Sequence, residues 1–191
     1  EKISRLHGFA DALSSGSSDR AFETAYRMRE SLAETGVDPR HCLDLVDAFK
    51  QDAVKNRYDD WDDLIDYCLR SAAPVGRYLI ELHGGSRHGF GPSDALCNAL
   101  QVINHLQDCR DDFLSMDRVY LPQDWMAEAG ASVDMLAADK TSPSLRQVID
   151  RCLDRTRELM QDARRLPSGL KSRRLAMESA AIVRIADALI E

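Results

Sequence analysis

The chain has 191 residues, of which 44% are hydrophobic and 30% charged, and it carries a formal net charge of −7. That size and balance suit one domain with its own core and exclude wholesale disorder. There is no basic stripe to suggest nucleic-acid binding, and no run of about 18 apolar residues to cross a bilayer.

Helical periodicity runs through nearly the whole chain, while alternating β-branched runs and Asn-Gly or Asp-Gly turns are almost absent. The first helix is expected over residues 1–13. It opens on Glu1 rather than Met, as though already under way, so a trimmed or processed chain is expected. Ser14 to Ser18 reads as a loop. Helices over 19–35 and 39–55 follow, with Gly36 ending one and Asp38-Pro39 opening the next. A long helix over 60–83 stops at Gly84-Gly85, and Pro92 opens another over 92–115. Within 60–83, Pro74 and Gly76 either break the helix in two or kink the wall of a cavity. Short helices over 123–129 and 132–138 lead to two more over 143–165 and 171–190, with Pro143 and Pro167 around the first of these. Without a repeat of fixed period, the simplest organisation is one all-α domain over 1–191.

The chemistry concentrates between Gln101 and Asp112, Q-V-I-N-H-L-Q-D-C-R-D-D. On a helix, Gln101, Asn104, Asp108 and Asp112 share one face, with Asn98 and His105 on the same side. The remaining circumference is mostly apolar: Leu96, Ala99, Leu100, Val102, Ile103, Leu106 and Phe113. A solvated face of an amphipathic helix accounts for such a pattern. A cavity lining accounts for it as well, because the stripe carries short amides and aspartates and no Lys or Arg falls between Pro92 and Cys109. Two aspartates four residues apart repel each other when unpaired, and they offer the oxygen ligands that Mg²⁺ takes together with substrate phosphates.

The stretch N-H-L-Q-D-C-R-D-D-F followed by D-R-V-Y-L-P, Asp117 to Pro122, resembles the second aspartate-rich motif of squalene and phytoene synthases. Upstream, D-Y-C-L-R-S-A-A-P-V-G-R, Asp66 to Arg77, is similar to the tyrosine-bearing, small-residue segment of that family. F-K-Q-D-A-V-K-N-R-Y, Phe49 to Tyr58, is similar to the segment before it. The matches keep their order and cover roughly residues 40–130. Gln107 and the S-A-A-P-V-G-R segment most resemble the hopanoid-associated branch, which is linked to conversion of presqualene diphosphate to hydroxysqualene with water quenching the cation. No G-x-G-x-x-G marks a nicotinamide site.

The resemblance implies an isoprenoid-synthase-type helical bundle around a central cavity, with Mg²⁺ as cofactor and a prenyl diphosphate as substrate. By position, Asp108 and Asp112 would hold the metal and the diphosphate. Gln101 and Asn104 would lie near the reacting end of the chain, and Tyr67 would face a carbocation across the cavity. Ala72 and Ala73 would leave room for the prenyl chain, and Arg118 and Tyr120 would close the rim. The family's first aspartate-rich motif, expected just before a segment like Glu1 to Leu13, has no counterpart here, so an N-terminally incomplete fold is expected. Two other readings stay open. One is head-to-head condensation of two prenyl diphosphates to presqualene diphosphate, squalene or phytoene. The other is a non-catalytic helical module that binds a lipid or a partner.

The remaining candidates have plainer readings. Asp59-Asp60 and Asp62-Asp63 suit a helix N-terminus, where the dipole favours anions. His83 and His88 flank glycines but no Walker-type lysine follows, and His41 and His7 read as partly exposed helix residues. Lys171, Arg173 and Arg174 suit a solvated helix start, or contact with an anionic membrane or a diphosphate. Cys42, Cys68, Cys97, Cys109 and Cys152 are odd in number and form no C-x-x-C. They are expected as buried free thiols in a reducing cytoplasm rather than as a disulfide framework or zinc site.

Overall fold

A computed structural model describes residues 1–15 and 20–191; Gly16, Ser17 and Ser18 of the expected serine loop, and Asp19, lie outside the described residues. The described residues are helical, with no strand among them and a single isolated bridge between Arg57 and Val119. The helices are α1 (Lys2–Ser14), α2 (Glu23–Thr35), α3 (Arg40–Gln51), α4 (Trp61–Ser71), α5 (Ala73–Leu82) and α6 (Phe90–Gln107). After these come α7 (Cys109–Met116), α8 (Gln123–Glu128), α9 (Pro143–Ala163), α10 (Leu166–Gly169) and α11 (Arg173–Leu189).

Two expected helices are each two. The 60–83 helix breaks at Ala72 (φ −124°, ψ −49°), because Pro74 has no N–H to continue the ladder and instead sits in the first turn of α5. The 92–115 helix breaks at Asp108 and begins earlier, at Phe90. The expected 39–55 helix stops at Gln51, and Ser14 belongs to α1 rather than to a loop. The expected 132–138 helix is a 3₁₀ segment, Val133–Ala137. The acidic run before α4 is its N-terminus: Asp60 caps it by accepting the Asp63 N–H at 2.8 Å, and Asp63 pairs with Lys55 at 2.5 Å. His41 departs from expectation. It is buried, with Nε2 3.1 Å from Glu81 on α5, and that carboxylate also accepts the Asp38 N–H at 2.9 Å.

The eighteen-residue α6 is the central rod, packed against α4, α5, α9 and α11. At 1.5 Å per residue it is about 27 Å long. Its Val102 side joins a core of Tyr58, Leu64, Tyr67, Leu121, Trp125 and Val148, built from α4, α8, α9 and the loops beside them. Its Leu96 and Ile103 side joins Ile80, Met160 and Val183 from α5, α9 and α11. A smaller cluster of Ala12, Leu13, Ala25 and Val46 ties α1 and α2 to α3. The α9 helix begins on Ser142, whose hydroxyl accepts the Leu145 N–H at 3.2 Å.

Two loops pair to support the site. Asp117 ends α7 in the left-handed region (φ 51°), held by Arg57, which bonds both its carbonyl and its carboxylate. The chain then runs beside 56–59, with Val119 N–H donating to Asn56 O at 2.9 Å and Gln123 N–H to Tyr58 O at 3.0 Å. This pairing brings Tyr58 and Tyr120 together from distant parts of the sequence.

Candidate active site

The candidate site forms at the joint between α6 and α7. Asp108 (φ −94°, ψ 2°) sits in the bridge region, where turn and active-site residues commonly fall. Its N–H still reaches Asn104 O at 3.0 Å and its carbonyl still takes the Asp112 N–H at 2.9 Å, so the helical path bends without losing its ladder there. Asn104 Nδ2 donates to Asp108 Oδ2 at 3.1 Å. Asp108 is exposed and Asp112 half-buried. Burial, and next the charge of Asp108, hold the Asp112 carboxyl above its ordinary range, with Arg118 opposing them. Among the described residues no group of three His, Cys, Asp or Glu side chains could hold a metal by itself. Two repelling carboxylates with open surroundings fit Mg²⁺, which keeps waters and takes its other ligands from phosphates.

Behind the carboxylates the same helix borders an apolar trough. From Gln107 and Asn104, through Gln101, to Leu100 and Cys97, α6 lines an open hollow of about 530 Å³, together with Ala72 and Val75 of the α4–α5 segment. Cys97 and Leu100 also border a second, more enclosed hollow of about 280 Å³, lined mostly by leucines and isoleucines of α5, α6, α10, α11 and the loop between the last two. Gly76 lets α5 lie this close to α6: a Cβ there would be 2.3 Å from Ser93 Oγ and 2.8 Å from Cys97 Sγ. Laid end to end along α6 from Gln107 to Ser93, the two hollows run about 20 Å.

Under the joint lies a buried polar cluster. Tyr67 donates its hydroxyl to Asp52 Oδ1 at 3.0 Å. Arg118 donates to the Asp52 carbonyl at 2.5 Å, lies 3.6 Å from its carboxylate and donates to Tyr120 Oη at 3.4 Å. Burial pulls the Arg118 pKa down, but Tyr120 and the charge of Asp52 more than offset it, so the guanidinium stays charged. Tyr120 stacks on His105 at 3.4 Å and 9°, and on Tyr58 at 5.4 Å and 18°. Burial, and then the charge of Arg118, push His105 down from an ordinary 6.5 to about 3, so its ring is neutral. Burial likewise raises the Tyr67, Tyr58 and Tyr120 phenols.

The structure sorts the sequence candidates into three settings. Asn104, Asp108 and Asp112 come together, and Gln101 and Ala72 line the trough. Tyr67 does not border the trough. It is 4% exposed, since Asp52 takes its hydroxyl and Tyr58, Tyr120 and His105 pack around its ring. Ala73 is fully buried, and Tyr120 lies in the packed cluster rather than on a rim, because His105 and Tyr58 stack on it. Arg118 is half-buried between Asp52 and Tyr120. Asn98 and His105 turn inward, away from the open stripe. The sequence reading missed Asp52, which lies in the quoted F-K-Q-D segment but has no spacing that ties it to Tyr67 or Arg118. All five cysteines are free; Cys68 and Cys152 are buried and the others half-buried. No described helix is long and apolar enough to cross a membrane.

The chain is 45% identical over 166 residues to the hydroxysqualene synthase of Rhodopseudomonas palustris, covering 87% of this chain and 57% of that protein. It is 42% identical to that of Sinorhizobium fredii over the same shares. It is 32% identical over 122 residues to the phytoene synthase of Pseudescherichia vulneris, covering 62% of this chain and 38% of that one. The chain thus spans a little over half the length of the hydroxysqualene synthases it matches. The crystal structure of squalene synthase HpnC from Alicyclobacillus acidocaldarius superimposes with a TM-score of 0.85 at 31% identity, covering all of this chain and 72% of that one. This overlap bears out the helical isoprenoid-synthase fold. The family model for squalene/phytoene synthase matches residues 2–191, and the chain belongs to that family.

Proposed function

We propose that the protein is a Mg²⁺-dependent prenyl-diphosphate enzyme of squalene and hopanoid biosynthesis, which converts presqualene diphosphate to hydroxysqualene and releases diphosphate. The observation that carries the reading is the Asp108–Asp112 pair directly beyond Asn104 and Gln107, where Asn104 both bonds Asp108 and borders the open hollow along α6. The likeness to hydroxysqualene synthases, at 42–45% identity, favours hydration over condensation.

In this reading Asp108 and Asp112 hold the cation, which when bound neutralises the diphosphate and makes it a better leaving group. Arg118, held on Asp52 and Tyr120, stays behind the pair, and its charge favours the Asp112 carboxylate without bonding it. The apolar trough takes the hydrocarbon and keeps stray water from the cation that forms. Asn104 and Gln101 are amides of the trough, with Gln107 at its end, and the dipoles of the first two place the water, whose oxygen bonds to carbon as its proton passes to the released diphosphate. Peripheral membrane contact through the exposed Lys171, Arg173 and Arg174 belongs to the same proposal.

The test incubates the full-length protein with presqualene diphosphate and Mg²⁺, measuring released diphosphate and identifying the product by mass spectrometry. Hydroxysqualene is expected, and chelation should abolish it. Squalene, phytoene or presqualene diphosphate formed from simpler diphosphates would move the protein to the condensing branch. Release of no diphosphate from any of these substrates would overturn the reading.

A further inference from the structure

Asp52 is an acid in a poor place for one. It follows the C-terminus of α3, where the helix dipole disfavours an anion. It is nevertheless half-buried and engaged through both its carboxylate and its carbonyl. Its carboxylate accepts the Tyr67 hydroxyl and faces Arg118, and its carbonyl accepts Arg118 Nη2. Arg118 is thereby tied at one end of its guanidinium, while its buried Nε has no hydrogen-bond partner among the described residues.

Two carboxylates compete for this one cation. The Arg118 N–H donates to the Asp112 carbonyl at 3.2 Å, so the guanidinium lies in the field of Asp112 as well as of Asp52. Side-chain and backbone bonds together hold it on Asp52, and the Tyr67 hydroxyl steadies that carboxylate. If Asp52 lost its charge, the strongest remaining anion for the guanidinium would be the Asp108–Asp112 pair. An Arg–carboxylate bond there would occupy the oxygens that the cation needs.

We infer that Asp52 is a positioning residue of this site: its carboxylate and carbonyl anchor Arg118 away from Asp112 and so keep the Asp108–Asp112 pair open to a metal–diphosphate. The inference rests on the reading of Asp108 and Asp112 as the diphosphate-binding pair. It accounts for an acid at an unfavourable helix end, for a buried tyrosine that does not touch the trough, and for an arginine bonded to a backbone carbonyl.

The test measures the affinity of the full-length protein for inorganic diphosphate in the presence of Mg²⁺, by titration calorimetry, so that no turnover is needed. Asp52→Asn keeps the size of the side chain and removes its charge, and it should weaken binding about tenfold or more. The decisive variant is Asp52→Asn combined with Arg118→Gln. With no guanidinium to fall onto Asp112, the double variant should bind more tightly than Asp52→Asn alone, which a merely structural Asp52 would not produce. Unchanged affinity in Asp52→Asn, or a double variant weaker than the single, overturns the inference and leaves the functional reading standing. If Asp52→Asn does not fold, Tyr67→Phe removes the bond that steadies the carboxylate, and wild-type affinity in that variant counts equally against it. Wild-type protein that binds no magnesium diphosphate overturns the functional reading, and this inference with it.

Discussion

His105 should make the fold acid-labile in a defined window. The ring is 5% exposed, stacked on Tyr120 and within reach of the Arg118 charge, and its pKa falls from 6.5 to about 3. A histidine with a depressed folded pKa favours the folded state above its unfolded pKa and loses that advantage as pH falls. Between about pH 7.5 and about pH 4.5 the unfolded ring takes up a proton and the folded one does not. At 1.36 kcal/mol for each unit below 6.5, stability should fall by about 2–3 kcal/mol from this side chain alone. The assay is urea unfolding of the wild type and of His105→Phe, which keeps a ring against Tyr120 without a titrating group, across that range. Other groups contribute equally to both proteins, so the difference between the two pH profiles isolates His105. Parallel profiles would refute the reasoning, as would an imidazole seen by NMR to titrate near 6.5 in the folded protein.

Three other outcomes follow from the same geometry. Asp112→Asn should cut Mg²⁺-dependent diphosphate release at least tenfold, as should Asp108→Asn. It should also stabilise the metal-free protein by about 0.2–0.5 kcal/mol in a thermal melt, because a like-charge pair is relieved. Since burial and Asp108 raise the Asp112 pKa, the metal-free wild type gains stability as pH falls through the carboxylate range, a gain the variant lacks. Gly76→Ala should destabilise by about 1–3 kcal/mol in urea, since its methyl would fall 2.3 Å from Ser93 Oγ, and Ser93→Ala should recover part of the loss. Leu100→Trp fills the junction of the two hollows, so turnover of the prenyl diphosphate should drop while calorimetry finds the affinity for magnesium diphosphate unchanged.

Much of the site was legible locally because helical spacing is local. Gln101, Asn104, Asp108 and Asp112 recur at three and four residues, and the structure keeps Asn104 bonded to Asp108. The break at Asp108 was not legible, since no proline or glycine marks it and the ladder carries through the bend. The settings of Tyr67, Tyr120 and Arg118 were not legible either, for a related reason. Position in a motif says which residues occur together but not which way they face, and the partners that turn them inward, Asp52, Tyr58 and His105, come from distant parts of the chain.

The amino-acid sequence by itself determined the all-helical class, the acidic start of α4 and the polar stripe of α6. Each of these depends on neighbours within a few residues along one chain direction. Only the tertiary structure decided that α5 and α11 leave an apolar trough beside that stripe, and that residues 52, 67 and 118 share one bond network beneath the surface. Those contacts close loops of tens of residues, and their strength comes from burial and from hydrogen bonds made in a low-dielectric interior, which no local pattern encodes.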